Sequence, residues 1–166
     1  MGKRIAIIGG GPAGLYFAVL AKQLDPTDDI TIWERNAPED TFGFGVVFSD
    51  ETLGGIENAD PTFYAAASAG FAQWSDIDVV FGGTTHTVGG QGFAASSRKA
   101  LLMQLQKRAA ELGVTLHFRT MAPPVADLSR DYDLVIAADG INSAIRPHFA
   151  EHFRPSLDPR KSKYMW

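Results

Sequence analysis

The chain has no cysteine among its 166 residues, which excludes disulfides, thiolate metal ligation and a nucleophilic thiol. That absence fits a reducing compartment without fixing one. Uninterrupted apolar runs are also lacking. The most apolar stretch, Ile5 to Leu20, is broken by glycines and Pro12, and no small-residue cleavage site follows it. A signal peptide and a membrane span are therefore disfavoured, and a soluble, cytoplasmic protein is expected. Positive charge is not in excess: 15 Lys+Arg against 19 Asp+Glu leave a net charge of -4, which gives no general attraction to nucleic acid or to an anionic membrane. Low-complexity tracts and internal repeats are missing too. The 17 glycines fall in short groups between apolar segments, as turns and close-approach points do.

What is present is a chain with 45% hydrophobic and 20% charged residues, enough to bury a core in a single domain. Arg4 to Ile8 is a short β-branched run leading into glycines, and Pro12 to Leu24 carries Leu15, Ala18 and Val19 at helical spacing. Asp25-Pro26 ends that helix and Ile30 to Glu34 reads as a second strand, so residues 4–34 form a βαβ unit. Residues 36–95 read as a loop and hairpin insertion. It holds a short helix near Pro61 to Ala69 and two alternating stretches, Ile77 to Phe81 and Thr84 to Val88, joined by Gly82-Gly83. Residues 96–140 read as helix, strand, strand. Ser96 or Ser97 caps an amphipathic helix with Leu101, Leu102, Leu105, Ala109 and Leu112 on one side, ended by Gly113. Val114 to Arg119 follows as a strand, and Tyr132 to Ala138 has the length and composition of a buried parallel strand. The tail, 152–166, is polar until Tyr164-Met165-Trp166, which reads as a strand just beginning.

Gly9, Gly11 and Gly14, with Pro12 and Ala13 between them, make a G-x-G-x-x-G pattern between strand and helix. The first glycine permits the turn, the second lets a pyrophosphate approach the backbone, and the third lets helix and strand pack. The helix N-terminus then faces the phosphates. Glu34, twenty positions after Gly14, is placed to accept hydrogen bonds from ribose hydroxyls, or is a solvated strand-end charge. This pattern does not separate FAD from NAD. Arg98 opens the amphipathic helix, where its guanidinium either reaches toward a cofactor phosphate or lies exposed. Asp139-Gly140-Ile141-Asn142-Ser143-Ala144-Ile145-Arg146 follows a strand end, and reads equally as a ligand site or as a turn and helix cap. His86 and His117 have no second ligand at metal-binding spacing, so no metal is assigned.

In these features the sequence resembles the flavin-dependent aromatic hydroxylases, the group A flavoprotein monooxygenases. The resemblance rests on the glycine fingerprint with Glu34-Arg35, the arginine-headed helix ending Ala109-Ala110-Glu111-Leu112-Gly113-Val114, and Asp139-Gly140-x-x-Ser143-x-x-Arg146. It implies an α/β fold: a Rossmann-like FAD-binding parallel sheet of the glutathione-reductase type, with a β-hairpin and loop insertion. Gly9, Gly11, Pro12, Ala13 and Gly14 would lie at the FAD pyrophosphate and Glu34 on the adenosine ribose. Arg35 and Arg98 would be near the cofactor, and Asp139-Gly140 near the pyrophosphate and the nicotinamide approach. Thr41 to Asp50 looks like the branch that hydroxylates aromatic acyl-CoA thioesters, which puts Gly45 and Val46 at the cofactor. Its glycines let the loop lie against a flat ring with Phe44, Val46 and Phe48 as apolar walls, or it is a buried aromatic loop with no ligand. NADH or NADPH would donate electrons and O2 would be consumed. That family also carries a later Gly-Asp motif and further strands that this sequence lacks, so the fold is expected to be incomplete at its C-terminus and the fragment itself not to be catalytically competent. No residue is singled out as a catalytic acid or base. Two other readings share the fingerprint: a nicotinamide-dependent dehydrogenase domain, and a non-catalytic dinucleotide-binding module that forms homo-oligomers through exposed apolar surface.

Overall fold

The computed structural model describes residues 2–90, 92–159 and 161. Tyr164, Met165 and Trp166, read above as the start of a strand, lie outside the described residues. The chain folds as a mixed α/β structure around a parallel sheet. Strand β1 (Arg4–Ile8) enters helix α1 (Pro12–Leu24), which returns to strand β2 (Asp29–Trp33). The two strands pair in parallel with Arg4 opposite Asp29 and Ile8 opposite Trp33. Pro12 starts α1 because its missing N–H is unneeded in the first turn. The helix stops at Asp25, whose backbone is extended at φ -138° and ψ 98°, since the residue before a proline is pushed out of helical conformation.

The chain then makes strand β3 (Gly45–Ser49), helices α2 (Asp50–Ala59) and α3 (Pro61–Ser68), strands β4 (Ala72–Trp74), β5 (Ile77–Phe81), β6 (Thr84–Val88) and β7 (Phe93–Ser97), and helix α4 (Arg98–Glu111). Strand β8 (Thr115–His117), helix α5 (Val125–Asp131), strand β9 (Leu134–Ala137) and the short helices α6 (Ile145–His148) and α7 (Ala150–Phe153) complete it. The parallel sheet runs in the order β8-β2-β1-β9, β3-β7-β4 form a separate antiparallel sheet, and β5-β6 form a hairpin. Ile5, Ile7, Ile30 and Ile32 at the centre of the parallel sheet pack with Leu15, Ala18 and Val19 of α1, Phe63 of α3, and Leu101, Leu102 and Leu105 of α4. Three consecutive residues, Ile5 to Ile7, are buried, as expected of a parallel strand covered on both sides.

Residues 36–95 contain more regular structure than the loops and single hairpin expected from sequence. Strands β3, β4 and β7 and helix α2 were not anticipated. The strands are short, and β3 alternates only weakly between half-buried and exposed. Helix α2 carries Gly54-Gly55 in its interior, a composition that reads as a loop when taken locally. It forms because Ser49 caps it, accepting the Thr52 N–H at 3.3 Å, with Asp50 and Glu51 in the first turn. The Tyr132 to Ala138 segment is parallel to β1 but is not a buried strand: β9 is the sheet edge, and Leu134 is 40% exposed. Its apolar run signalled burial that this arrangement supplies on one side only. The Pro123-Pro124 stretch leads into α5, which packs beside β9. Among the described residues, no helix is long and apolar enough to cross a membrane.

An ion pair buried in the helical layer fixes how α1, α3 and α4 meet. Asp60 is 1% exposed and caps α3 by accepting the Phe63 N–H at 3.0 Å. It also accepts Arg108 Nε at 2.8 Å, Arg108 Nη2 at 3.2 Å, and a hydrogen bond from the Gln23 amide. Burial raises the Asp60 carboxyl. The bonds from Arg108, Phe63 and Gln23 outweigh that and hold it below the usual carboxylate range.

Candidate functional site

Where the β1–α1 turn meets the end of β2, the loop that follows β2, and the start of α4, the surface opens into a shallow cleft. Gly10, Gly11 and Pro12 form its floor, Glu34 and Asn36 one side, Arg98 another, and Phe118 and Phe42 further walls. Two features that sequence places far apart, the glycine fingerprint with Glu34 and the arginine at the head of α4, therefore face one space.

The three fingerprint glycines have separable reasons to lack a side chain. Gly9 has φ +109°, and a Cβ there would come 2.4 Å from the Ala138 carbonyl oxygen. The turn needs the left-handed backbone and the end of β9 crosses against it. At Gly14 a Cβ would meet the Gly9 carbonyl oxygen at 2.2 Å, so this glycine lets α1 sit on the turn. At Gly11 a Cβ would have no atom within 4 Å, and the backbone is ordinary, at φ -73° and ψ 176°. Neither packing within the chain nor strain demands glycine at that position; open space in the cleft lies in front of it.

Gly11 is also the N-cap of α1. No side chain caps that helix end and no acidic residue lies in its first turn. In contrast, α2, α3 and α4 are capped by Ser49, Asp60 and Ser97. The first-turn N–H groups of α1 and the positive end of its dipole thus face the cleft without a side-chain acceptor. Arg98 adds positive charge nearby. It is half-buried, its N–H donates to the Phe44 carbonyl at 3.1 Å, and it forms no ion pair among the described residues.

Glu34 lies one residue past β2, since the strand ends at Trp33. Its Oε2 accepts the Gly10 N–H at 2.8 Å, and its Oε1 accepts the Asn36 N–H at 2.8 Å and Asn36 Nδ2 at 2.7 Å. The side chain is held against the fingerprint turn and is not a freely solvated strand-end charge. Arg35, next in sequence, is exposed and does not line the cleft.

The other sequence candidates lie outside the cleft. The Asp139 carboxylate accepts the Ala144 N–H at 2.8 Å and the Ile145 N–H at 3.3 Å. Burial raises its carboxyl, but the Ser143 hydroxyl and those backbone N–H groups more than offset this and keep it below the usual range. Gly140 turns the chain at φ +80°. Asp139 and Gly140 thus make a turn and cap for the start of α6. This loop adjoins the fingerprint, because a Cβ on Gly9 would lie 3.1 Å from the Asp139 nitrogen. Gly45 and Val46 belong to β3, not to a loop. A Cβ on Gly45 would be 2.9 Å from the Ser96 carbonyl, Val46 packs against the core, and Phe48 stacks on Phe71 with ring centroids 5.7 Å apart. Of that segment, Phe42 and Phe44 stand out from the surface, 75% and 97% exposed.

Sequence reasoning passed over Asn36, Gln106 and Phe118, which line the cleft. Asn36 carried a usable signal, an amide two residues after the acidic residue. Phe118 and Gln106 carried none, because only the fold brings the end of β8 and the middle of α4 to the fingerprint.

No family model matches the chain. The salicyloyl-CoA 5-hydroxylase of a Streptomyces species is 45% identical over 163 residues, 98% of this chain and 31% of that protein. The chain is similar in sequence to named aromatic monooxygenases. The 3-hydroxy-4-methyl-anthranilyl-aryl-carrier-protein 5-monooxygenase of Streptosporangium sibiricum is 32% identical, again over 98% of this chain and 45% of that protein. The protodeoxyviolaceinate monooxygenase of Chromobacterium violaceum is 30% identical over 98% of this chain and 44% of its own length. The chain thus spans less than half the length of these aromatic-monooxygenase relatives. Among solved structures, the tetrameric form of 2-methyl-3-hydroxypyridine-5-carboxylic acid oxygenase aligns over 73% of this chain and 32% of its own, with a TM-score of 0.64 and 22% identity. FqzB aligns over 90% of this chain and 38% of its own, with a TM-score of 0.70 and 16% identity. Those two likenesses are of fold.

Proposed function

We propose that the cleft binds the adenosine diphosphate part of FAD, and that the chain is the cofactor-binding portion of an aromatic-ring monooxygenase. The observation that carries this reading is the open space before Gly11, lined also by Arg98 and Glu34, at a helix N-terminus with no side-chain cap. An anion fits between the helix N-terminus and Arg98, and a ribose diol against Glu34. On this reading the parallel sheet is a Rossmann-like dinucleotide fold of the glutathione-reductase type, with β3 to β7 as its insertion. Gly9 and Gly14 shape the turn, and Gly11, Pro12 and Ala13 receive the pyrophosphate. Asp139 and Gly140 hold the neighbouring loop, while Arg35 is exposed outside the cleft. Gly45 and Val46 begin β3, and the segment just before it carries Phe42 and Phe44 toward the flavin side.

Bound FAD supplies two-electron chemistry that links a donor, NADH or NADPH, to O2 and to oxygen insertion into an aromatic ring. This chain's residues bind and orient the cofactor. The exposed rings of Phe42 and Phe44 offer apolar surface from which water is readily excluded. Two relatives are named for aromatic acyl groups borne on CoA or on a carrier protein, which supports an aromatic acyl thioester as the substrate of the whole protein. A cytoplasmic location accords with such soluble cosubstrates.

The direct test is an absorbance spectrum from 300 to 550 nm of the purified chain after incubation with FAD and removal of free cofactor. Flavin bands that travel with the protein support the reading. A colourless protein that retains NAD instead would replace it with the dehydrogenase reading.

A further inference from the structure

We infer that Asn36 is a positioning residue for dinucleotide binding, acting through Glu34; the inference rests on the reading of the cleft given above. Glu34 and Asn36 form a compact device. Asn36 donates twice to one oxygen, Oε1, from its backbone N–H at 2.8 Å and its side-chain Nδ2 at 2.7 Å. The other oxygen, Oε2, is held by the Gly10 N–H at 2.8 Å. With both ends tied, the carboxylate cannot rotate away from the fingerprint turn. Oε1 is filled by its two Asn36 donors, whereas Oε2, with one donor from Gly10, keeps an acceptor position for a ribose hydroxyl, since a carboxylate offers about four acceptor sites, two on each oxygen.

Asn36 is itself anchored from behind. Its carbonyl accepts the Arg119 N–H at 3.0 Å, and the Glu34 carbonyl accepts the Thr120 N–H at 2.9 Å. The hook after β8 that supplies these donors has Arg119 at φ +53°, a left-handed conformation that is costly for a residue with a side chain. The strain is borne where the hook meets the Glu34–Asn36 segment, and the same hook presents Phe118 to the cleft. Three elements, the fingerprint turn, the end of β2 and the end of β8, thus converge on one carboxylate. Only the Asn36 side chain can be removed without disturbing the backbone bonds. It lies between Glu34 and the rim, so its loss would free Oε1 while leaving the Gly10 contact.

The purified 166-residue chain, Asn36→Ala, Glu34→Gln and the double variant are titrated with FAD and with its analogue lacking the adenosine 2′-hydroxyl, with circular dichroism confirming the fold of each. Asn36→Ala is expected to weaken FAD binding about tenfold, the loss of one charge-assisted hydrogen bond. It should also shrink the preference for FAD over the 2′-deoxy analogue. In the Glu34→Gln background, Asn36→Ala should cost nothing more, because a residue acting through Glu34 has no route left. Losses that multiply in the double variant, or an unchanged 2′-hydroxyl preference in Asn36→Ala, would overturn the positioning role while leaving the cleft reading intact. If the unaltered chain binds neither dinucleotide, the cleft reading fails and this inference fails with it.

Discussion

Replacing Gly11 by valine puts methyl groups into a volume where no protein atom lies within 4 Å of a Cβ, on a backbone that valine adopts without strain. The folded chain should accept the change at a cost of no more than about 1 kcal/mol, since valine is a poorer helix N-cap than glycine, yet lose FAD retention, because the added atoms stand where the pyrophosphate is proposed to lie. Gly9→Ala gives the opposite result. Its Cβ collides with the Ala138 carbonyl at 2.4 Å in a φ +109° conformation, so stability should fall by about 2–4 kcal/mol from strain and overpacking together. Urea unfolding and flavin absorbance of both variants separate the two effects. If Gly11→Val unfolds like Gly9→Ala, the open space is not a ligand site but room the fold itself requires. The sequence pattern already distinguished the three glycines, giving Gly9 the turn, Gly11 the ligand approach and Gly14 the helix packing; which backbone atoms stand against Gly9 was not legible. Those atoms belong to Ala138 and Asp139, which the end of β9 places beside the turn.

At the scale of elements, the parts set by local pattern were readable. Arg4–Ile8, Pro12–Leu24 and the Ile77–Phe81/Thr84–Val88 hairpin stand where the spacing of apolar residues and the Gly82-Gly83 turn put them. Elements that gain their stability from non-local partners were not. Helix α2 has two internal glycines, and β3, β4 and β7 exist only as each other's neighbours. The Asp60–Arg108 pair, joining residues 48 apart in sequence, belongs to the same class. Because the folded Asp60 carboxyl is depressed below its unfolded value, the stability it contributes is present above the ordinary carboxylate range near pH 4 and is lost as pH falls through the folded value. Asp139, depressed by its hold on the loop before α6, adds to the same acid limb. Asp60→Ala should cost about 3 kcal/mol, since it uncaps α3 and leaves Arg108, at 19% side-chain exposure, with the longer Glu111 contact at 3.6 Å in place of its bidentate pair. It should also flatten the stability profile below pH 5, and thermal unfolding at pH 3.5 to 7 measures both. The hairpin provides the contrast: Phe81 is 80% exposed, so Phe81→Asp should change the melting temperature by no more than about 2 °C. A larger drop would show that Phe81 packs against something in solution.

For the whole molecule, the parallel sheet, the helical layer joined by Asp60, and the cleft at the carboxyl ends of β1 and β2 form one mechanical unit. A ligand that fills the cleft touches the β1–α1 turn, the end of β2 and the start of α4 at once, so it must stabilise the fold as a whole. With FAD at one hundred times its dissociation constant, the linkage contribution is about 2.7 kcal/mol. For a domain of this length, that is a rise of roughly 5–10 °C in the melting temperature. A nicotinamide dinucleotide shares the adenosine diphosphate half and would be held by the same Gly11, Glu34 and Arg98. The two cofactors therefore differ only in what lies beyond the pyrophosphate, where the exposed rings of Phe42 and Phe44 favour the larger, flatter flavin. A thermal series with FAD, ADP and NAD at matched concentrations reads this directly. FAD should raise the midpoint most, ADP less, and NAD no more than ADP. If NAD matched FAD, the cleft would be reading only the adenosine half, and the assignment to flavin would rest on relatives and not on this chain's own surface.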